Sequence, residues 1–168
     1  MPIRLPWQPL EAPPDARSLH PRLVLLASEG RAISEAAVRL ALAIAKPARS
    51  EVKVLSIARI WGSAFGLPHP GLRPTKTEWQ AQRDIVEAAI LSLRRAGSDA
   101  TGEVLGSRNA ANSILKQADA IGAGAIVMTA DAEPHWFVRG IVWTHLPHIV
   151  ARKAAVPVYL ARAVGGEQ

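Results

Sequence analysis

The stretch TADAEPHWFVRGIVWTHLPHIV, Thr129 to Val150, gathers the side chains Asp131, Glu133, His135, Arg139, His145 and His148 with Trp136 and Trp143. Three chemistries are open to such a set. The first is metal binding: His145 and His148 are three apart on an expected helix, His135 lies ten residues upstream, and Asp131 or Glu133 could complete an imidazole and carboxylate site. Histidines at that spacing also arise by chance, and Pro147 sits between these two, so surface or capping histidines are the preferred reading and no metal is expected. The second is hydrolysis, with Ser28 and Glu29 as nucleophile and base. No Gly-x-Ser-x-Gly elbow presents Ser28 on a strained turn. Glu29 ends a strand, where a general base can sit, but a solvated or helix-capping carboxylate accounts for it. No catalytic residue is expected, and the chain is read as a non-enzyme. The third is anion binding after a buried strand, where glycines usually let backbone N–H groups reach a phosphate. Here acids, a proline and large rings stand instead.

The elements that hold these residues follow from hydrophobic periodicity. RLVLLAS, from Arg22, is a continuous apolar run, as in a strand covered on both faces. In EGRAISEAAVRLALAIAK, the residues Ile33, Ala36, Ala37, Leu40, Ala41 and Ile44 fall on one face of a helix that Pro47 stops. SEVKVLSIARI is a second strand with Val52, Val54 and Ser56 on one side. TKTEWQAQRDIVEAAILSLRRAG is a long helix, capped by Thr75 or Thr77 and ended at Gly97. DATGEVLG is a third strand. A third helix follows with Ile114, Leu115, Ala118 and Ile121 inward. AIVMTA is a fourth strand, THLPHIVARKA a fourth helix, and VPVYLARA a fifth strand.

This alternation predicts an α/β single-domain sandwich: a five-stranded, mostly parallel sheet with about four helices on its two faces. Ligands of such sheets sit beyond the carboxyl ends of the strands, where the strand order reverses. That rule singles out Ser28 to Arg31 and Thr129 to Gly140. The expected organisation is a Pro-rich extension over residues 1–21, a domain over 22–163 and a tail over 164–168. In the extension Pro2, Pro6, Pro9, Pro13 and Pro14 break any regular element, and two readings stay open: a disordered tail, or an arm that Trp7 pins to the body.

Composition narrows the classes. At 168 residues, 49% hydrophobic and 20% charged, the chain suits one globular domain. It has no apolar run long enough for a membrane span and no signal-peptide pattern, and its zero cysteines exclude disulfides and thiolate sites. A cytoplasmic protein is expected. The net charge of +6 is spread over scattered arginines and lysines, with adjacent pairs only at Arg94-Arg95 and Arg152-Lys153. Neither a nucleic acid nor a membrane is expected as partner.

Three stretches carry a family resemblance. VLLASEGRAISEAAVRLAL, LGSRNAANSILKQADAIGAGAIVM and HIVARKAAVPVYL occur in that order between Arg22 and Ala163. Together they are similar to the universal stress protein family, an α/β fold of the adenine-nucleotide alpha-hydrolase type. Many members bind ATP through Gly-x2-Gly-x9-Gly-[Ser/Thr] after the fourth strand. Counting back from Pro157 places the motif's glycines on Asp131, Pro134 and Thr144, with His145 last. Counting forward from Met128 places them on Thr129, Ala132 and Val142. No glycine stands at a motif position in either register.

Asp131 and Glu133 bring negative charge toward a triphosphate, Pro134 lacks an N–H donor, and Trp136 and Trp143 fill space. The family's acidic residue at the end of strand one aligns with Glu29, and the serine after its glycine with Arg31. The resemblance therefore implies a degenerate nucleotide site and no cofactor, in a stress-linked regulatory or interaction module. The alternative is ATP held by a rebuilt loop of Glu29, Gly30, Arg139, Gly140, Thr144 and His145. Less favoured is a hydrolase or metal-dependent enzyme on the same crevice. The rings Trp136, Phe137 and Trp143, with Trp61 and Phe65 from the long loop after strand two, are expected to plug the old pocket; alternatively they form a surface for a protein partner or an apolar ligand. In the family the last strand often pairs with its two-fold mate, which implies a homodimer through Val156, Val158 and Leu160.

Overall fold

A computed structural model describes residues 21–60, 74–130 and 146–162 of the chain. The elements run β1 (Leu23–Ser28), α1 (Glu35–Ala48), β2 (Glu51–Arg59), α2 (Lys76–Arg95), β3 (Ala100–Ser107), α3 (Ala110–Ile121), β4 (Ala125–Ala130), α4 (Leu146–Lys153) and β5 (Val158–Arg162). The strands form one sheet in the order β3-β2-β1-β4-β5, and every pairing is parallel. The expected α/β sandwich is therefore what the chain forms.

Alternation within the strands builds two cores. Val24, Leu26, Val52, Val54 and Val127 face one way and pack with Ala37, Ala41 and Ala45 of α1 and Val86, Ala89 and Leu93 of α2. Leu25, Ala27, Leu55, Ile57, Ile126 and Met128 face the other way, against Ala110, Ala111, Ile114 and Ala118 of α3 and Val150 of α4. The sheet grows in one direction through β1, β2 and β3, then crosses back to β4 and β5. With right-handed crossovers, that reversal is what puts α1 and α2 on one face and α3 and α4 on the other.

Local signals set the helix ends. Ser34 caps α1 by accepting from the Ala37 N–H. Thr75, rather than Thr77, caps α2, and Glu78 completes a capping box with it. Asn109 caps α3 and Gly122, in the left-handed conformation, ends it. The expected stop of α1 at Pro47 is one residue early: the helix runs through the proline to Ala48, and Arg49 closes it at φ 51°. A proline in the last turn forfeits one hydrogen bond of a helix that is already ending. The deepest line of α1 is Ala37, Ala41 and Ala45, with Ile33, Ala36, Leu40 and Ile44 flanking it half-buried. Short side chains along this line let the helix lie close to the sheet.

Close approach is tightest where α2 crosses β3. A Cβ on Gly102 would stand 2.6 Å from Val86 Cγ1 and 2.9 Å from both Ile90 Cδ1 and the Val54 carbonyl oxygen. The carbonyl belongs to the neighbouring strand and cannot swing away. At Gly106 the nearest atom is Trp79 Cζ2 at 3.2 Å, the end of a side chain that can give. Gly102→Ala is expected to cost about 1–3 kcal/mol through overpacking. Thermal unfolding followed by circular dichroism then shows a clear fall in Tm, with a smaller one for Gly106→Ala. Equal melting of both variants and the parent would refute this tight seat for α2.

Candidate functional site

The reversal of strand order lies between β1 and β4, so the crevice expected to hold a ligand opens beyond Ser28 and Met128. Register fixes its walls. Ala27 pairs with Met128 and Ser28 pairs with Ser56, which brings the ends of β1, β2 and β4 side by side.

The polar side chains at these ends are bonded to one another. Ser28, only 8% exposed, donates its hydroxyl to the Arg31 carbonyl at 2.7 Å and so closes the turn after β1. Gly30 takes a left-handed φ of 67° within that turn, and its carbonyl accepts from Gln82 Nε2 at 3.2 Å. The other end of the Gln82 amide accepts from the fully buried Ser56 hydroxyl at 2.6 Å. Ser34, at the start of α1, lies 3.2 Å from Thr129 Oγ1 at the end of β4. That contact spans the crevice and ties its two walls together. Beyond β3, Ser113 donates to Ser107 at 2.7 Å, and the Asn109 N–H donates to the same Ser107 oxygen at 3.0 Å.

Of the residues expected at a nucleotide site, Glu29 is half-buried and Gly30 exposed, both in the turn after β1 as the sequence places them. Arg139, Gly140, Thr144 and His145 lie outside the described residues, as do Asp131, Glu133, Pro134, His135, Trp136 and Trp143. His148 is exposed on α4. Among the described residues no group of three His, Cys, Asp or Glu side chains could hold a metal ion. Ser28 spends its hydroxyl hydrogen on the turn, an arrangement that suits a structural role. The sequence reading passed over Gln82, although its signal is present. Gln82 stands four residues before Val86 on the buried stripe of α2, and Ser56 continues the stripe of Val52 and Val54 on β2. Two polar residues on facing apolar stripes must satisfy each other.

Outside this crevice, the described residues contain no helix long and apolar enough to cross a membrane. A family model described as the universal stress protein family matches residues 21–162. Solved structures with the same fold include a universal stress protein from Archaeoglobus fulgidus at 17% identity and TM-score 0.64, covering 83% of this chain and 92% of that one. A second structure, from the same organism in complex with dAMP, is 20% identical at TM-score 0.60 and covers 82% and 95%. A universal stress protein in complex with cAMP is 17% identical at TM-score 0.59, covering 85% and 98%. No curated protein matches in sequence. The family match takes in all five strands and all four helices described above, and the chain belongs to the universal stress protein family.

Proposed function

We propose that this universal stress protein is a non-enzymatic, cytoplasmic regulatory or interaction module that works as a homodimer and does not hold ATP through the family's glycine loop. The observation that carries the reading is the contact between Thr129 and Ser34. Thr129 is a motif glycine position in one register, and there a side chain stands where a bare backbone would receive phosphate. Its hydroxyl meets that of Ser34, the residue that caps α1, so side chains on the two walls of the crevice already serve each other. In the other register the positions are Asp131, Pro134 and Thr144, none of which offers a glycine's open N–H. The internal bonding of Ser28, Ser56 and Gln82 further supports a crevice that is complete without a ligand.

A second reading keeps a nucleotide, because neighbours of similar fold hold dAMP and cAMP. It would use Glu29 and Gly30 with Arg139, Gly140, Thr144 and His145. Calorimetry separates the two. Titration of the purified protein with Mg-ATP, dAMP and cAMP is expected to give no binding heat up to millimolar ligand. Micromolar binding of any of the three would overturn the main reading, and Arg139→Ala and His145→Ala would then be expected to weaken it.

The dimer is proposed through β5. This strand ends the sheet, and Ile126 N–H donates to the Pro157 carbonyl. Backbone groups alternate along a strand, so those of Val158 and Leu160 point to the open edge. Their side chains pack half-buried toward α3 and α4, while Tyr159, at 37% exposure, faces the other side. An edge of this kind favours pairing with a second copy. Light scattering after size exclusion is expected to give twice the 18.0 kDa chain mass. Val158→Pro, which removes an outward N–H, is expected to shift the protein to the single-chain mass. A parent protein that stays single at high micromolar concentration would rule the dimer out.

A further inference from the structure

A groove of about 550 Å³ runs between α1 and α2, from Ala32 and Ile33 in the segment after β1 along to Ala88 and Ser92 of α2. Ile33 and Val38 of the α1 side and Ile85 and Ala88 of α2 give it apolar walls. Leu91, one helical turn beyond Ala88, is 46% exposed, the most exposed large apolar side chain among the described residues. The charged groups on the groove are Glu35, Arg39 and Asp84. Arg39 is paired with Glu35 at 3.1 Å, and Asp84 accepts from the neutral Gln80 amide, which leaves one net negative charge on the rim.

We propose that this groove is the seat of the chain's own first ten residues, MPIRLPWQPL. Residues 1–20 divide sharply in composition. The first ten carry Ile3, Leu5, Trp7 and Leu10 with Arg4 as their one charge, whereas the next ten, EAPPDARSLH, are polar and read as a tether. The tether starts in the right place. Pro21 is buried, and its carbonyl accepts from the Ser50 hydroxyl at the foot of α1. From Ser50 up to the level of Val38 is about 18 Å along the helix, at about 1.5 Å per residue. Ten extended residues reach about 33 Å, so the tether spans that distance with slack. A proline-rich strand is already extended and exposes apolar side chains at little ordering cost, the form that docks into apolar grooves. Arg4 supplies the positive charge that the Asp84 end of the groove lacks. Docking would remove Trp7, Leu5 and Leu91 from water together.

The absence of cysteine from the chain makes the test direct. A nitroxide on Gln8→Cys in the full-length, nitrogen-15-labelled protein reports which amides lie near the arm. The amides of Ile33, Val38, Ile85 and Ala88 are expected to lose most of their intensity relative to the reduced label. Those of Asn112 and Lys116, on the opposite layer, are expected to keep theirs. Leu91→Asp, at a site exposed enough to leave the core shifts unchanged, should restore the groove signals. Full intensity in the groove of the labelled parent, or equal loss on both layers, overturns the proposal. So does loss that appears when a spin-labelled, isotope-free chain is mixed with an unlabelled nitrogen-15 chain, because the arm then seats on a second copy. A nucleotide-binding or monomeric protein, by contrast, would leave this result unaffected.

Discussion

The constraint on which the rest depends is the double burial of β1. Val24, Leu25 and Leu26 are wholly buried, and alternate members serve opposite cores. A strand in that position must have a neighbour on each side and a helix layer on each face. The hydrophobic term, at about 25 cal/mol per Å² of apolar surface, makes any other location for LVLLAS costly. With β2 on one side and β4 on the other, the order must reverse at β1, and the helices that follow β1 and β4 pack on opposite faces. The crevice is a by-product of that reversal. Its position owes nothing to the residues that line it.

The lining residues decide instead what the crevice can do. Four helices begin at this edge of the sheet, and α1, α2 and α3 are each closed by a side chain of their own: Ser34, Thr75 with Glu78, and Asn109. Each cap satisfies a backbone donor that an anion would otherwise engage. Gln82 extends the same economy by linking Ser56 to the turn at Gly30, so one α2 side chain joins β2 to the turn after β1. An anion seated at these three caps would exchange with bonds that are already formed.

How much of this was legible in the sequence depends on the range of the interaction. Helix faces are local: the spacing of Ala37, Ala41 and Ile114 fixes their burial within one element, and the structure agrees. AIVMTA stands as β4 to the residue. Strand order is not local, since nothing inside β3 says that it pairs with β2 rather than β4, and it had to come from the structure. Gly102 shows the limit most clearly. Its sequence context, ATGEVLGS, reads as an ordinary short strand, and the reason for glycine lies in Val86, Ile90 and the Val54 carbonyl, three positions from two other elements. Gln82 and Ser56 are intermediate. Each breaks an apolar stripe visibly, but their pairing needs the fold.

The site residues divide in the same way. Glu29 and Gly30 follow directly from where β1 ends, and the structure places both in the expected turn. Thr144 and His145 were named from motif counting along a loop, and Arg139 for its charge; counting has no physical anchor when the length between fixed ends changes. The Thr129 to Ser34 contact supplies such an anchor, because it joins the end of β4 to the residue that caps α1. Any nucleotide pose must first accommodate that bridge. The ends of β1 and β4 are therefore tied together before the loop begins.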